Sequence, residues 1–303
     1  IDTSRAEDIT LYARWEAETY TVTLNITEGN TEEITVTYGG VYSGLTVPER
    51  KGYTFEGWYT QAEGGTAVTT GTTVSETQNH ELYARWKINE YRITYVLNGG
   101  ANGENPTGYT VEDQSITLNE ATRTGYKFTG WYESESGGEK VTVIDTSRAG
   151  DITLYARWEA ETYTVTYVNT NGADNPNAAT YTAERHVTFE EITRKGYRFV
   201  EWRKGSEEGE AIRNTIGQSG NITVYAVWRA EEYKITYLLR GGINGENPEK
   251  YTVEDGKIQL KPATRTGYKF LSWSTTITGT EEVTVIDTSR AEDITLYARW
   301  EAE

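Results

Sequence analysis

The chain of 303 residues has no cysteine and only two histidines, His80 and His186. Without cysteine it cannot form a disulfide, a thiol nucleophile, an iron–sulfur cluster or a thiolate zinc site. The two histidines fall at unrelated places in the sequence, so they offer little material for a general base or a His-rich metal site. We therefore predict a protein that is not an enzyme, with no catalytic residues and no cofactor.

Basic residues are few beside acidic ones, with 29 Lys and Arg against 46 Asp and Glu and a net charge of −17. A chain this acidic repels phosphate backbones and anionic lipid, which argues against nucleic acid or a membrane surface as the main partner. No stretch approaches the ~20 consecutive apolar residues that a membrane helix needs. We expect no membrane insertion in this segment.

Aromatic residues, in contrast, are abundant, and the nine tryptophans occupy two repeating positions. The string Leu-Tyr-Ala-Arg-Trp, or its variant Val-Tyr-Ala-Val-Trp, ends at Trp15, Trp86, Trp158, Trp228 and Trp300, at intervals of 70 to 72 residues. The string Gly-Tyr-x-Phe is followed three positions on by Trp58, Trp131, Trp202 and Trp273. Self-similarity at a fixed period is the signature of a repeat protein.

The spacing predicts four repeats. The predicted divisions are a C-terminal remnant of a preceding repeat at 1–15, repeat 1 at 16–86, repeat 2 at 87–158, repeat 3 at 159–228, repeat 4 at 229–300 and the start of a further joint at 301–303. Residues 1–18 are identical to residues 286–303. This repetition favours an excerpt from a longer array.

Within a repeat the dominant period is two, which indicates β-strands. The loop from Asn98 to Pro106 is rich in residues that tolerate positive φ, and it predicts a hairpin. At Gly130 the alternation changes phase, which predicts a β-bulge or a close backbone approach. The segment 143–150 predicts a short helical turn capped by Asp145 or Thr146.

These motifs together resemble one known family. Tyr-x-Val/Ile-Thr-Tyr, Arg-x-Gly-Tyr-x-Phe-x-Gly-Trp-Tyr, a Gly-Gly loop and Asp-Ile-Thr-Leu-Tyr-Ala-Arg-Trp are similar to the internalin B-repeat, or Listeria–Bacteroides repeat, across all four repeats and the remnant. The resemblance implies a mainly β module, α+β at most, with a ubiquitin-like β-grasp fold. It also implies an extracellular array in a bacterial cell-surface, cell-wall or secreted protein, where such repeats look like spacers or stalks that project a head domain.

The periodic tryptophans are interpreted as structural. A module of about 70 residues with no disulfide or metal needs a dense core, and Tyr and Trp bury roughly 150 to 250 Å² each. The predicted aromatic core comprises Trp58, Trp86, Trp131, Trp158, Trp202, Trp228, Trp273 and Trp300.

Two smaller sets of residues carry alternative interpretations. Tyr155 and Arg157, with Tyr297 and Arg299, could form an exposed or inter-module patch, although stacking of Tyr on Arg within the sheet would explain them equally well. Asn98, Asn105 and Asp174 lie in loops that offer oxygen ligands to calcium. Hairpin geometry explains those loops without an ion, so no metal is predicted.

We predict a structural spacer whose partners are neighbouring repeats of the same chain. The alternatives are an adhesion module that binds a host surface protein or glycan, and self-association into a surface filament.

Only four residues, none of them Gly or Pro, separate each terminal Trp from the first Tyr of the next repeat, which is too short for a flexible linker. With ~3.3 Å per strand residue, each repeat should advance the axis by roughly 30 to 40 Å, giving a rod of roughly 120 to 160 Å. Small-angle X-ray scattering measures this dimension directly. A compact globule would contradict the prediction.

Overall fold

The computed structural model describes residue 4 and residues 8–303. Within this part of the chain the structure is nearly all β, with 22 strands, two short 3₁₀ turns and no α-helix. The chain divides into two compact units. The first extends as far as Thr122 and includes Phe128–Trp158, and the second comprises Arg123–Lys127 and Glu159–Glu303.

The strands of the first two repeats are as follows. Repeat 1 contains β1 (Thr19–Thr27), β2 (Asn30–Thr37), β3 (Tyr53–Tyr59), β4 (Ala67–Val68) and β5 (His80–Ile88). Repeat 2 contains β6 (Tyr91–Val96), β7 (Gly108–Tyr109), β8 (Ile116–Thr117), β9 (Tyr126–Tyr132), β10 (Lys140–Val141), β11 (Val143–Ile144), a 3₁₀ turn (Thr146–Arg148) and β12 (Ile152–Ala160).

The last two repeats follow the same order. Repeat 3 contains β13 (Tyr163–Val168), β14 (Thr180–Tyr181), β15 (Tyr197–Lys204) and β16 (Ile222–Ala230). Repeat 4 contains β17 (Tyr233–Leu238), β18 (Lys250–Tyr251), β19 (Lys257–Gln259), β20 (Tyr268–Ser274), β21 (Val285–Asp287), a 3₁₀ turn (Thr288–Arg290) and β22 (Ile294–Ala302).

In each repeat the last strand lies at the centre of the sheet. The first strand runs parallel to it, as in the pairs β1 with β5, β6 with β12, β13 with β16, and β17 with β22. On its other side β3, β15 and β20 pair antiparallel with the last strands of their repeats, and β9 is the neighbour of β12. This confirms the mainly β prediction, and parallel terminal strands are consistent with the β-grasp plan.

A carboxylate or amide just before the last strand fastens it to the first strand. Its Oδ1 accepts a hydrogen bond of 2.8 to 2.9 Å from a backbone N–H of the first strand. The four donor and acceptor pairs are Thr21 with Asn79, Arg92 with Asp151, Thr164 with Asn221, and Lys234 with Asp293. Because the two strands lie about 60 residues apart in sequence, this bond helps to close each repeat on itself.

A Trp–Phe–Trp triad packs in the hydrophobic cluster of each repeat. In repeat 2, Phe128 lies between Trp131 and Trp158, with ring centroids 5.3 Å apart on both sides. The equivalent triads are centred on Phe55, Phe199 and Phe270, with centroid distances of 5.4 to 5.6 Å except 5.3 Å for Phe270 and Trp273. These edge-on and tilted geometries suit the ring quadrupoles.

The two tryptophans of a triad differ in depth. Trp58, Trp131, Trp202 and Trp273 are 2 to 3% exposed, whereas Trp86, Trp158, Trp228 and Trp300 are half-buried. Each indole N–H donates to a backbone carbonyl, at 2.8 to 3.1 Å, so the buried donor is satisfied.

The local predictions for repeat 2 are confirmed. Gly130 has φ +149°, and a Cβ there would lie 2.7 Å from Lys140 Cε. The strand register also shifts at this position in the other three repeats. Asp145, rather than Thr146, caps the 3₁₀ turn by accepting the Ser147 N–H at 3.0 Å. Buried Thr146 instead donates to the Asp113 carbonyl at 2.6 Å.

The loop 98–106 has positive φ at four residues, and it joins two strands that pair antiparallel. The residues with positive φ are Asn98, Gly99, Gly103 and Glu104. The predicted hairpin therefore exists, but with a wide loop. In repeat 1 a tight turn at Gly29, with φ +76°, is used instead, so β2 pairs with β1 over almost its whole length.

The segment before repeat 1 contrasts with its duplicate at the other end. Part of the predicted remnant, residues 1–3 and 5–7, lies outside the described residues, and residues 8–18 form no strand. Trp15 is 92% exposed, whereas Trp300, in an identical stretch of sequence, packs against Phe270. Identical sequence therefore has two environments here.

This contrast supplies a matched pair of substitutions. Trp158→Phe removes the indole bond to the Leu97 carbonyl, 3.0 Å long, and part of the ring packed on Phe128. We expect a loss of about 1–3 kcal/mol in unfolding free energy. Trp15→Phe, in the same local sequence, should change stability by less than about 0.5 kcal/mol. Denaturant unfolding measures both, and equal losses would contradict the assignment of the core.

A second feature, common to repeats 2 to 4, is a half-buried tyrosine near the end of the first strand. The hydroxyls of Tyr95, Tyr167 and Tyr237 donate to backbone carbonyls at 2.8 to 2.9 Å. Each ring lies 5.0 to 5.2 Å from the deep tryptophan of its repeat. Burial raises the pKa of each of these phenols from 10.0 to about 12. Repeat 1 has Leu24 at this position.

This shift predicts sensitivity to alkaline pH. Because the folded pKa lies above the unfolded value, the neutral phenols contribute their full stability below pH 10, and that contribution is lost as the pH rises towards 12. We expect the free energy of unfolding to fall across this range, and tyrosinate absorbance to rise together with unfolding. In Tyr95→Phe the fall should be shallower, since one shifted group is removed. An unchanged slope in that variant would contradict the prediction.

Candidate functional site: the joint between repeats

Consecutive repeats are joined by two residues. β5 ends at Ile88 and β6 begins at Tyr91, and the joints after β12 and β16 are equally short. The last strand therefore continues past its tryptophan almost into the first strand of the next repeat. A connection this short leaves little freedom between neighbouring repeats that share a compact unit.

The glycine of each Gly-Tyr-x-Phe motif lies beside the joint, and we call Gly52, Gly125, Gly196 and Gly267 the joint glycines. They have φ of +74° to +83°, the left-handed region in which a side chain is strained. The carbonyl of each joint glycine accepts a backbone N–H from the joint itself. The donors are Asn89, Glu161, Glu231 and Glu303, at 2.9, 3.0, 3.0 and 3.2 Å.

Opposite the first three joint glycines lies a residue of the next repeat. It follows the short second strand, and we call Val111, Ala183 and Val253 the turn residues. A Cβ on Gly52 would lie within 3.0 Å of the Val111 side chain, and a Cβ on Gly196 would lie equally close to Val253. Within the second unit, a Cβ on Gly125 would lie 3.1 Å from Ala183 Cβ. At Gly52 and Gly196 the missing side chain is therefore what allows the next repeat of the same unit to approach.

The tyrosine after each joint glycine is stacked beneath an arginine. The guanidinium of the Arg-x-Gly-Tyr motif lies 3.6 to 3.7 Å from the ring centroid in all four repeats. Tyr53 also donates its hydroxyl to Glu112 of repeat 2. That hydrogen bond is the largest cause of the raised pKa of Tyr53. This bond adds a polar contact between repeats 1 and 2.

Two of the joints, that between repeats 1 and 2 and that between repeats 3 and 4, are lined by equivalent shallow grooves. One, of about 870 Å³, is lined by Thr54, Lys87, Ile88, Asn89, Glu90, Tyr91 and Asp151. Another, of about 740 Å³, is lined by Arg198, Arg229, Ala230, Glu231, Glu232, Tyr233 and Asp293. Charges of both signs line each groove, and the aspartates already accept backbone N–H groups.

The predicted patch residues are half-buried within their sheets. Arg157 lies 3.7 Å from the ring of Tyr132 and donates to the carbonyls of Ser134, at 2.9 Å, and Gly137. Arg157 therefore stacks within the sheet, on a tyrosine of the neighbouring strand and not on Tyr155. Tyr297 and Arg299 are also half-buried, and Ser274 stands where repeat 2 has Tyr132.

The three loop residues considered as calcium ligands have different environments. Asn105 is 5% exposed; its Nδ2 donates to the Asn102 and Asn119 carbonyls at 2.6 and 3.1 Å, and its Oδ1 accepts the Asn119 N–H at 2.6 Å. Asn98 donates to the Ala156 carbonyl at 3.4 Å, and Asp174 is exposed. Within the described residues, no group of three or more His, Asp or Glu side chains is placed to hold a metal ion.

The histidines lie in different repeats and different settings. His80 is half-buried, with Nε2 2.8 Å from the Tyr42 hydroxyl and Nδ1 3.0 Å from the Gln78 carbonyl. His186 is exposed.

Sequence reasoning found the joint glycines as a motif but not their partners. The missed signal is the string Tyr-Thr-Val/Ala-Glu at 109–112, 181–184 and 251–254. Its repetition could have marked it, but nothing local connects it to a glycine 57 to 59 residues earlier in the preceding repeat.

The contact between a joint glycine and its turn residue can be tested by comparing two glycine substitutions. Gly52→Ala should cost about 1–2 kcal/mol for the left-handed backbone and about 1–3 kcal/mol more for overlap with Val111. Gly267→Ala has a similar φ but no described atom within 4 Å, so it should show the backbone cost alone. Adding Val111→Ala to Gly52→Ala should recover part of the excess, as a double-mutant cycle would measure. Equal costs at Gly52 and Gly267 would contradict the contact.

The comparisons with known proteins agree with the repeat pattern. The Listeria–Bacteroides repeat domain matches the chain four times, over residues 20–85, 91–157, 163–227 and 233–299. These four matches cover most of the chain and begin near the first strand of each repeat. The predicted boundaries at the terminal tryptophans remain a prediction.

Several curated proteins are similar to the chain. A protein of Evansella cellulosilytica, provisionally named a membrane protein, is 30% identical over 96% of this chain and 45% of its own length. A second, provisionally named a Gly-rich membrane protein, is 29% identical over 88% of this chain and 31% of its own length. Internalin H of Listeria monocytogenes is 32% identical over 46% of this chain and 25% of its own length.

The chain thus spans less than half the length of these relatives. Among the described residues there is no helix both long and apolar enough to cross a bilayer. Four tandem matches, each containing the deep tryptophan and the joint glycine of its repeat and ending one residue before the half-buried tryptophan, show that the chain belongs to the Listeria–Bacteroides repeat family.

Proposed function

We propose that the chain is a non-enzymatic spacer in a bacterial cell-surface or secreted protein, where it holds a functional head domain away from its attachment. The observation that carries the proposal is the joint. All three joints have two-residue connections and a joint glycine, and within each unit a turn residue of the next repeat packs against the joint glycine, Val111 on Gly52 and Val253 on Gly196. Repeated construction at the joints, rather than a unique site, is what a spacer requires.

The arrangement of reactive side chains supports a role without catalysis. His80 is occupied by Tyr42 and Gln78, and Arg157 by Tyr132 and backbone carbonyls. Asp151 and Asp293 line the joint grooves but accept backbone N–H groups of the first strands. The polar groups that recur in each repeat are used to hold the fold.

The relatives support a place at the cell surface. Two carry provisional names as membrane proteins, and the third is an internalin. The strong net negative charge favours a solvated segment that does not adhere to anionic lipid. We propose that the head domain and the anchor are supplied by parts of such proteins outside this chain.

The spacer function predicts a graded dependence on repeat number. A head domain of known ligand, anchored to a cell wall through this chain, should capture bead-bound ligand less well when residues 159–228 are deleted, which joins Trp158 directly to Arg229. Duplication of the same residues should restore or extend capture. The measurement is ligand capture at equal surface density of the head domain.

A matched control separates spacing from binding. Arg198→Ser changes a groove residue without changing length, so a spacer should retain full capture. If the chain alone shows saturable binding to host cells or glycans, and Arg198→Ser abolishes that binding, the adhesion alternative replaces the spacer. If capture is indifferent to repeat number, the spacer proposal fails.

A further inference from the structure

We infer that the end of repeat 4 around Gly267 is a docking surface, and that it fits the valine-bearing turn of a further repeat of the same kind. We call this surface the end face; it comprises Gly267, Tyr268 and the joint residues 301–303. The inference goes beyond the spacer role because it names a specific partner, and it holds whether the array spaces or binds.

The end face is an uncovered copy of the surface that surrounds the other joint glycines. Gly52, Gly125 and Gly196 are buried, each beneath the turn residue of the next repeat. Gly267 is exposed, and no described atom beyond its chain neighbours lies within 4 Å of where its Cβ would be. The difference is not in the local sequence, because Arg-Thr-Gly-Tyr-Lys-Phe occurs at both Gly125 and Gly267.

The adjacent tyrosine shows the same change. Tyr53, Tyr126 and Tyr197 are half-buried, whereas Tyr268 is 36% exposed. Arg265 nevertheless stacks 3.6 Å from the Tyr268 ring, as in the other repeats. The Glu303 N–H also bonds to the Gly267 carbonyl, at 3.2 Å. The end face is therefore already formed and needs little rearrangement to accept a partner.

The covered interfaces define the chemistry of that partner. It presents a small or β-branched side chain over the glycine, with Thr before it and Glu after it, as at 110–112 and 252–254. At the first joint the glutamate, Glu112, accepts the hydroxyl of Tyr53. Valine fills the space over the glycine more completely than Ala183 does.

Repeat 1 does not present such a turn. Val36 pairs with Tyr20 as Tyr109 pairs with Tyr91, so Tyr38 occupies the position of Val111. Its ring is 48% exposed and much larger than valine. Since valine already fills the space over the joint glycine, the bulk of Tyr38 disfavours end-to-end association of two copies of this chain.

The test extends the chain by one repeat. A copy of residues 232–300 is placed after Glu303, which recreates the Ala-Glu-Glu-Tyr joint of repeats 3 and 4. Hydrogen–deuterium exchange is then compared at residues 267–270 and 303 with and without the extension. We expect the extension to slow exchange there by about tenfold or more.

Two variants of the extended chain isolate the contact. Changing the added valine that corresponds to Val253 to Asp should abolish the extra protection while the added repeat keeps its own protected core. In the extended chain, Gly267→Ala should also remove the extra protection. In the original chain, which has no added repeat, the same substitution should change the exchange rate at residue 303 by less than about twofold. The inference is overturned if the added repeat is folded but exchange at 267–270 is unchanged.

Two further experiments cover a failure of the added repeat to fold and the association of two copies of this chain. Should the added copy not fold, residues 162–228 with Ala183→Val serve as the extension instead, and the same comparison applies. Sedimentation velocity of the original chain should show a concentration-independent monomer. If it shows dimers that Gly267→Val abolishes, the partner is a second copy of this chain, and the inference about a valine-bearing turn is wrong.

Discussion

Each repeat depends on the parallel pairing of its first and last strands. The last strand is the centre of the sheet, and the residue before it fastens the first strand, as Asp151 does for Arg92. The last strand also carries the half-buried tryptophan, which in repeat 2 is Trp158 and packs on Phe128. Because these contacts join residues about 60 positions apart, a repeat cannot form until its last strand is in place. Aromatic packing and long-range hydrogen bonds thus supply the closure that disulfides provide in other small modules.

The last strand of a repeat also forms part of its contact with the next repeat. It continues two residues past its tryptophan, and the next amide, such as Asn89, bonds to the joint glycine. A repeat that has closed its sheet has therefore also shaped the surface that receives Val111. Repeats 2 to 4 have a turn residue at one end and a joint glycine at the other, whereas repeat 1 has a joint glycine but Tyr38 at the turn position.

Much of the fold is predictable from the sequence because its signals are local. Alternating residues predict the strands, the phase change at Gly130 predicts a β-bulge or a close backbone approach, and the segment 143–150 predicts a short helical turn capped by Asp145 or Thr146. The structure shows that Lys140 is the neighbour of Gly130 and that Asp145 is the cap. The candidate site was harder to predict from the sequence. The Gly-Tyr-x-Phe motif was evident, but its contact with Val111 lies across two repeats, and no local pattern reports which surfaces meet. For Arg157 the sequence left two alternatives, an exposed patch and stacking on a tyrosine within the sheet, and the structure shows that Tyr132 and two carbonyls hold it in the sheet.

By itself the sequence determined the number of repeats, their strand pattern and the positions of the core tryptophans, because period and side-chain size are written in the residues. Tertiary structure decided which copies of a motif are buried against a partner and which remain exposed. Trp15 is exposed and Trp300 packs in a core although their flanking sequences are identical, since only the latter belongs to a strand with neighbours on both sides. Gly125 is buried and Gly267 open for the same reason: burial requires a partner surface, and the motif encodes only one half of it.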